Sequence, residues 1–176
     1  LKPQEKREEI KRIYPTEQKD INKKYEEKEM EVSLPLYMIG IKDDLDGKYQ
    51  DVVKRHIAIE IILNMLIGKS SKLYSQLYKE GLLIAKPDLD YEFSKEYAHV
   101  LIGGQSKDPK EIEKRIKKEI EKMKQEKIDT EYFDRIKKKI YGDYVSEYNN
   151  VADIARMFIQ DNVKGINSFE YLNQFE

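Results

Sequence analysis

Few side chains in this sequence can carry chemistry. Its 176 residues include two histidines, His56 and His99, and no cysteine, so a metal ion would find few soft or borderline ligands. Glu60 follows His56 by four residues, a spacing that sets both on one face of a helix. No second imidazole stands beside them, and His99 falls in a predicted strand. Zinc is held by three or four protein ligands at fixed spacing, and that pattern does not occur. His56 therefore reads as a half-buried packing residue, with Glu60 as a solvated or hydrogen-bonded neighbour. Hydrolytic nucleophiles fare no better. There is no thiol and no G-x-S-x-G elbow, and Ser70 and Ser71 stand where a helix begins, the position at which hydroxyls cap free N–H groups. Gly103-Gly104-Gln105 lacks the further glycines and the lysine of a phosphate loop. The sequence assigns no catalytic residue and no metal ligand.

Thirteen tyrosines offer a different chemistry. Tyr74, Tyr78 and Tyr91 are candidates to line a peptide-binding surface, together with Tyr97 and Tyr141. The alternative is that these rings form the rim of the core with their hydroxyls in water.

Composition narrows the function classes. Charged residues make up 38% of the chain, but 33 basic and 34 acidic side chains leave a net charge of −1. Neither nucleic acid nor a membrane surface has a basic field to exploit, and the lysines near Arg135 read as a solvated helix face. The longest apolar run, 57–67, is interrupted by Glu60 and Asn64 and falls short of the roughly 20 residues of a membrane span. Absent cysteine fits a reducing compartment, and no signal peptide is visible, so the expected location is the cytoplasm. The first residue is leucine, which suggests a piece of a larger protein.

The elements that must position these residues emerge from periodicity. Residues 1–29 are almost wholly charged or polar and read as a linker from a preceding segment, or else as a solvated tail; residues 30–176 read as one domain. Met30, Val32, Leu34, Leu36 and Met38 alternate with Tyr37, Ile39 and Ile41, predicting a strand whose second half, apolar on both faces, suits the interior of a sheet. Pro35 places the strand's start at an edge or irregularity. A helix is predicted over 49–66. A short one comes next, capped by Ser70 or Ser71, with Leu73, Tyr74 and Leu77 at helical spacing and Gly81 at its C-terminal left-handed position. Strands over 88–93 and 96–103 form a hairpin through Ser94 and Lys95. Asp108-Pro109-Lys110-Glu111 is a helix start, and Ile112, Ile116, Ile120 and Met123 form a stripe along one side of that helix. Asp129 caps the next helix, with Phe133, Ile136, Ile140, Tyr144 and Tyr148 facing inward. Asn149 and Asn150 interrupt it, Gly165 ends the apolar stretch after them, and Ser168 begins a terminal helix. Strand, helices, strands and helices in this order give an α+β domain: an antiparallel sheet with helices packed on one face.

Four separated segments carry a family resemblance. The serine pair followed by Leu-Tyr and then Leu-x-x-x-Gly-Leu (70–82), the strand PLYMIGIKD, LIGGQSKDPKE, and FDRIKKKIYGDY occur in the order and spacing of the C-terminal domains of insulinase-like (pitrilysin family) zinc metallopeptidases. The subgroup most resembled occurs as paired cytosolic proteins in Gram-positive bacteria, and the match runs from about residue 29 to the end. The resemblance implies the metal-free half of a peptidase. Zinc and its H-x-x-E-H motif would lie in an upstream half, or in a paired homologue. The two halves would close like a clam around an unfolded peptide, which this half could bind by adding it to a sheet edge. It also implies a final strand after the terminal helix, which the sequence does not reach. Many family members place an arginine and a tyrosine in the 77–84 region to hold substrate near the transition-state oxygen. Here Tyr78 and Ile84 stand at those positions, so neither role is carried over; the departure equally suits an inactive structural or assembly subunit.

Overall fold

The computed structural model describes residues 18–45 and 49–175, together with Ile13. Three strands, β1 (Leu36–Asp43), β2 (Asp88–Phe93) and β3 (Ala98–Gln105), form an antiparallel sheet in the order β1-β3-β2. Among the described residues six helices accompany them: α1 (Val52–Ile67), α2 (Lys72–Lys79), α3 (Pro109–Gln125), α4 (Thr130–Glu147), α5 (Val151–Lys164) and α6 (Glu170–Asn173). A single 3-10 turn, Tyr49–Asp51, leads into α1.

Register decides which side chains meet the helices. Ile39 lies opposite Ile102, which lies opposite Leu89; Ile41, Val100 and Tyr91 make the next row, and Asp43, Ala98 and Phe93 the third. Paired residues share a face, and this is the face on which α1 packs against β2 and α3 against β1. Ala98, Val100, Ile102 and Phe93 are buried there with Ile57 and Ile61 of α1, Leu73 and Leu77 of α2, and Ile112 and Ile116 of α3. The sheet's other face carries Leu36, Met38 and Lys42 on β1 and Asp88, Asp90 and Glu92 on β2.

Helix starts obey the local chemistry of the sequence. Ser71, rather than Ser70, accepts the Tyr74 N–H at 3.0 Å. Asp108 accepts from Glu111 at 3.0 Å, Asp129 from Tyr132 at 3.0 Å, and Asn150 from Ala152 at 2.8 Å. Each satisfies a backbone donor the helix cannot. Gly81 has φ 70° as required after α2. Gly68 is needed for a different reason: a Cβ there would lie 2.4 Å from the Asn64 carbonyl oxygen.

Three expectations are corrected. β1 begins at Leu36 rather than Met30, because Pro35 offers no N–H to a ladder and Met30 and Val32 stay exposed. β1 also lies at the edge of the sheet, not inside it, with Met38 73% exposed. α6 begins at Glu170: Ser168 is buried, and Asn167 accepts the Phe169 N–H at 3.1 Å to form the turn before it. α5 presents another surprise. It turns Val151, Phe158, Ile159 and Val163 to solvent and buries Asp161.

Asp43 fastens three elements together. Its carboxylate accepts from Arg55 of α1 at 2.8 Å (Nε) and 2.5 Å (Nη2), and from the Tyr91 hydroxyl of β2 at 2.7 Å. Burial pushes the Asp43 carboxyl up, yet the bonds from Arg55 and Tyr91 together outweigh it and hold the group below the usual aspartate range. Asp43→Ala should lower stability to urea by roughly 1–2 kcal/mol, since it leaves the buried Tyr91 hydroxyl without its acceptor while Arg55 keeps the Asp44 carbonyl at 3.2 Å. Glu121→Ala, which removes an exposed pair with Lys124, should change it by less than about 0.5 kcal/mol.

Candidate functional site

α2 is a two-sided element. Leu73 and Leu77 are buried beneath it, while Tyr74 and Tyr78, four residues apart and so on one face, stack with ring centroids 5.8 Å apart. Tyr74 is half-buried and Tyr78 is 54% exposed. Glu80, just past the helix, receives Arg115 of α3 at 3.0 Å, and the same guanidinium reaches Glu111 at 2.8 Å. Leu83 then bridges to Ser106 and is buried, whereas Ile84 is exposed. The structure thus brings two of the three candidate tyrosines together on an open surface.

The third stands elsewhere. Tyr91 is 3% exposed on the inner face of β2, with its hydroxyl given to Asp43. Burial and that hydrogen bond push its hydroxyl well above the ordinary tyrosine range, so it remains a donor. Tyr97 and His99 stack at 5.9 Å near the start of β3, and Tyr141 meets Phe175 edge-on at 5.4 Å.

His56 occupies an aromatic cage rather than a ligand set. Its ring meets Phe93 at 5.3 Å, Tyr171 at 5.5 Å and Tyr91 at 5.8 Å, and Nδ1 shares a 2.8 Å hydrogen bond with the Tyr171 hydroxyl. Glu60, on the same helical face, accepts from the Tyr144 hydroxyl at 3.1 Å. The two border a pocket of about 280 Å³ between α1, β2 and α4, which Lys86, Asp90, Lys139 and Glu147 also line. Burial, helped by the charge of Lys164 and opposed by Asp90, pushes His56 down to about 4, so the imidazole is neutral at pH 7. Burial raises Glu60 despite the Tyr144 bond.

His99 sits in a β3 row paired with Lys42 and Glu92, on the sheet face opposite His56. Among the described residues no group of three or more His, Asp or Glu side chains could hold a metal ion. The donor set present does not fit a zinc site: the imidazoles lie on opposite faces of the sheet, and His56 is engaged by a tyrosine. Sequence spacing cannot show the Tyr171 bond, because Tyr171 lies 115 residues from His56.

Comparison with known proteins places this geometry. The model of a family described as "Peptidase M16 inactive domain" matches residues 1–140. A protein described as "Uncharacterized zinc protease YmfH" from Bacillus subtilis (strain 168) is 27% identical over 157 residues, covering 89% of this chain and 35% of the relative. A solved structure described as "Crystal structure of putative M16-like peptidase from Alicyclobacillus acidocaldarius" superposes with a TM-score of 0.72 at 22% identity, over 82% of this chain and 35% of that one. That likeness shows the fold. The chain spans about a third of the length of each.

The neutral His56 gives stability a pH dependence. Between pH 6.5 and about 4 the unfolded imidazole takes up a proton that the folded state refuses. Its contribution is therefore complete above pH 6.5 and falls by order of 3 kcal/mol as the pH drops to 4. Glu60, raised in the folded state, acts in the opposite sense. Urea titrations at stepped pH should show a shallower loss on acidification for His56→Gln than for the parent.

Proposed function

The chain belongs to the peptidase M16 inactive-domain family, and from that premise we propose that it serves as the non-catalytic C-terminal half of an insulinase-like zinc metallopeptidase. The family match over residues 1–140 carries this reading. The lack of any metal-holding group among the described residues supports it. In this reading zinc and the hydrolytic machinery reside in an N-terminal half of the same protein or in a paired homologue. This half closes the chamber and offers peptide an aromatic surface, Tyr74 and Tyr78, whose rings bury apolar area while their hydroxyls stay wet. An oxyanion stabiliser must donate a hydrogen bond. Tyr78 can donate and Ile84 cannot, so no residue of this chain is assigned to the transition state.

No helix among the described residues is long and apolar enough to cross a membrane. With the absence of cysteine, this supports placing the protein in the bacterial cytoplasm.

A second reading has its own observation. Tyr78 and Ile84 stand where the family resemblance implies an arginine and a tyrosine, which would suit a structural or assembly subunit of the same fold. Metal analysis of the longer protein, purified alone and together with any paired homologue, separates the two: one tightly held zinc in either preparation supports the peptidase half, and none in both supports the scaffold.

For the 176-residue chain itself, elemental analysis after purification should find no stoichiometric zinc, and quenched-fluorescence peptides should stay uncleaved. Tyr78→Ala should weaken peptide binding about three- to tenfold, the worth of one aromatic contact, while the melting temperature holds because the ring is exposed.

A further inference from the structure

The pocket between α1, β2 and α4 takes no part in the surface formed by Tyr74 and Tyr78. Its volume of about 280 Å³ equals that of roughly nine water molecules, room for a small organic ligand. Two kinds of group line it. The rings of His56, Tyr91 and Tyr144 form one part, with Leu63 and Leu89 beside them. The other part is charged: Glu60, Asp90, Asp143 and Glu147 against Lys86 and Lys139. Lys139 is engaged by Asp143 at 2.5 Å. Lys164, whose charge reaches His56, is engaged by Glu92 at 3.2 Å. Glu60, Asp90 and Glu147 make no ion pair among the described residues, and Lys86 is the one cation of the lining set against them.

These carboxylates are unfavourable neighbours for one another. Burial pushes the Glu60 carboxyl up, the Tyr144 bond and Lys139 oppose this, and Asp143 and Glu147 add to it. Glu147 is pushed up by burial and then by Asp153, Asp143 and Asp161, with no cation in opposition. A positive ligand would relieve that repulsion. A metal ion does not suit the space, since no three metal-holding groups converge among the described residues. An organic ammonium does. Its N–H groups donate to carboxylates, its charge is drawn to aromatic faces, and its methylenes pack on apolar side chains.

We infer that this pocket binds a short aliphatic diamine. One ammonium meets Glu60 and Glu147 beside the Tyr144 ring, and the other meets Asp90 beside His56 and Tyr91. The methylene stem lies against Leu63 and Leu89. Two positive charges answer the four carboxylates and two ammoniums of the lining, which is why a diamine suits it better than a monoamine. The inference goes beyond the peptidase reading and stands whether or not the longer protein holds zinc.

The chain's two histidines make the test local. His56 lines the pocket, and His99 lies on the opposite face of the sheet. The imidazole Cε1–H signals of the 176-residue chain, assigned with His99→Gln, are followed by NMR at pH 7 as cadaverine is added at constant ionic strength. His56 is neutral there, so a shift reports the ligand rather than a proton. The expected result is a saturable shift of His56 with His99 unmoved. Binding should be at least tenfold weaker for 1,5-pentanediol, the neutral counterpart, and at least fivefold weaker in Glu60→Gln and in Glu147→Gln. Glutamine at 60 still accepts from Tyr144, and Glu147 is exposed, so both variants keep the fold. Glu121→Gln, on α3, should leave affinity unchanged. A His56 signal that stays put, that moves together with His99, or that responds equally to pentanediol overturns the inference. So does affinity retained in either glutamine variant of the pocket. None of these results bears on zinc content or peptide binding, so the two readings fail separately.

Discussion

The Asp43 carboxylate holds the arrangement together. It sits at the last residue of β1, in a row with Ala98 and Phe93, and draws Arg55 of α1 and Tyr91 of β2 onto the same two oxygens. β1 and β2 share no backbone ladder, since β3 lies between them. This anion therefore links the two outer strands across the middle one and ties the first turn of α1 to them through Arg55. A partly buried carboxylate is unfavourable unless its lone pairs are filled. Arg55 Nε, Arg55 Nη2 and the Tyr91 hydroxyl fill them.

From that fixed start α1 carries His56 over Phe93 and Tyr91, and the cage closes when Tyr171 arrives from the far end of the chain. Tyr144 stacks on Tyr171 at 5.1 Å and hydrogen-bonds Glu60. The residues that first suggest a metal site, His56 and Glu60, are thus used to dock α4 and α6 on α1. In this chain the imidazole works as a neutral acceptor or donor within an apolar cluster, and its low proton affinity is a consequence of that packing. Catalytic metal chemistry needs the opposite conditions: free lone pairs that converge on one point, and an open coordination position.

What could be read from the sequence was local. Ser71, Asp108 and Asp129 cap their helices because a side chain and an N–H three residues on settle the matter between themselves. The inward stripe of Ile112 and Ile116, and of Ile136 and Ile140, comes from helical period alone. Position in the sheet was not local. The apolar residues on both sides of β1 read as an interior strand, yet the strand is an edge, because alternation reports what a residue needs and not which neighbour supplies it. Tyr91 shows the same limit. Strand period sets it on the apolar face of β2 with Leu89 and Phe93, but the acceptor that lets its hydroxyl be buried, Asp43, lies 48 residues earlier.

α5 has a practical consequence. Its outward row of Val151, Phe158, Ile159 and Val163, with Val151 82% exposed, gives copies of the chain a sticky surface. A net charge of −1 provides little long-range repulsion to keep them apart. Colloidal behaviour is therefore governed by concentration as much as by folding free energy. A heating curve recorded on a dense sample would register clumping in addition to cooperative melting, and dilution separates the two.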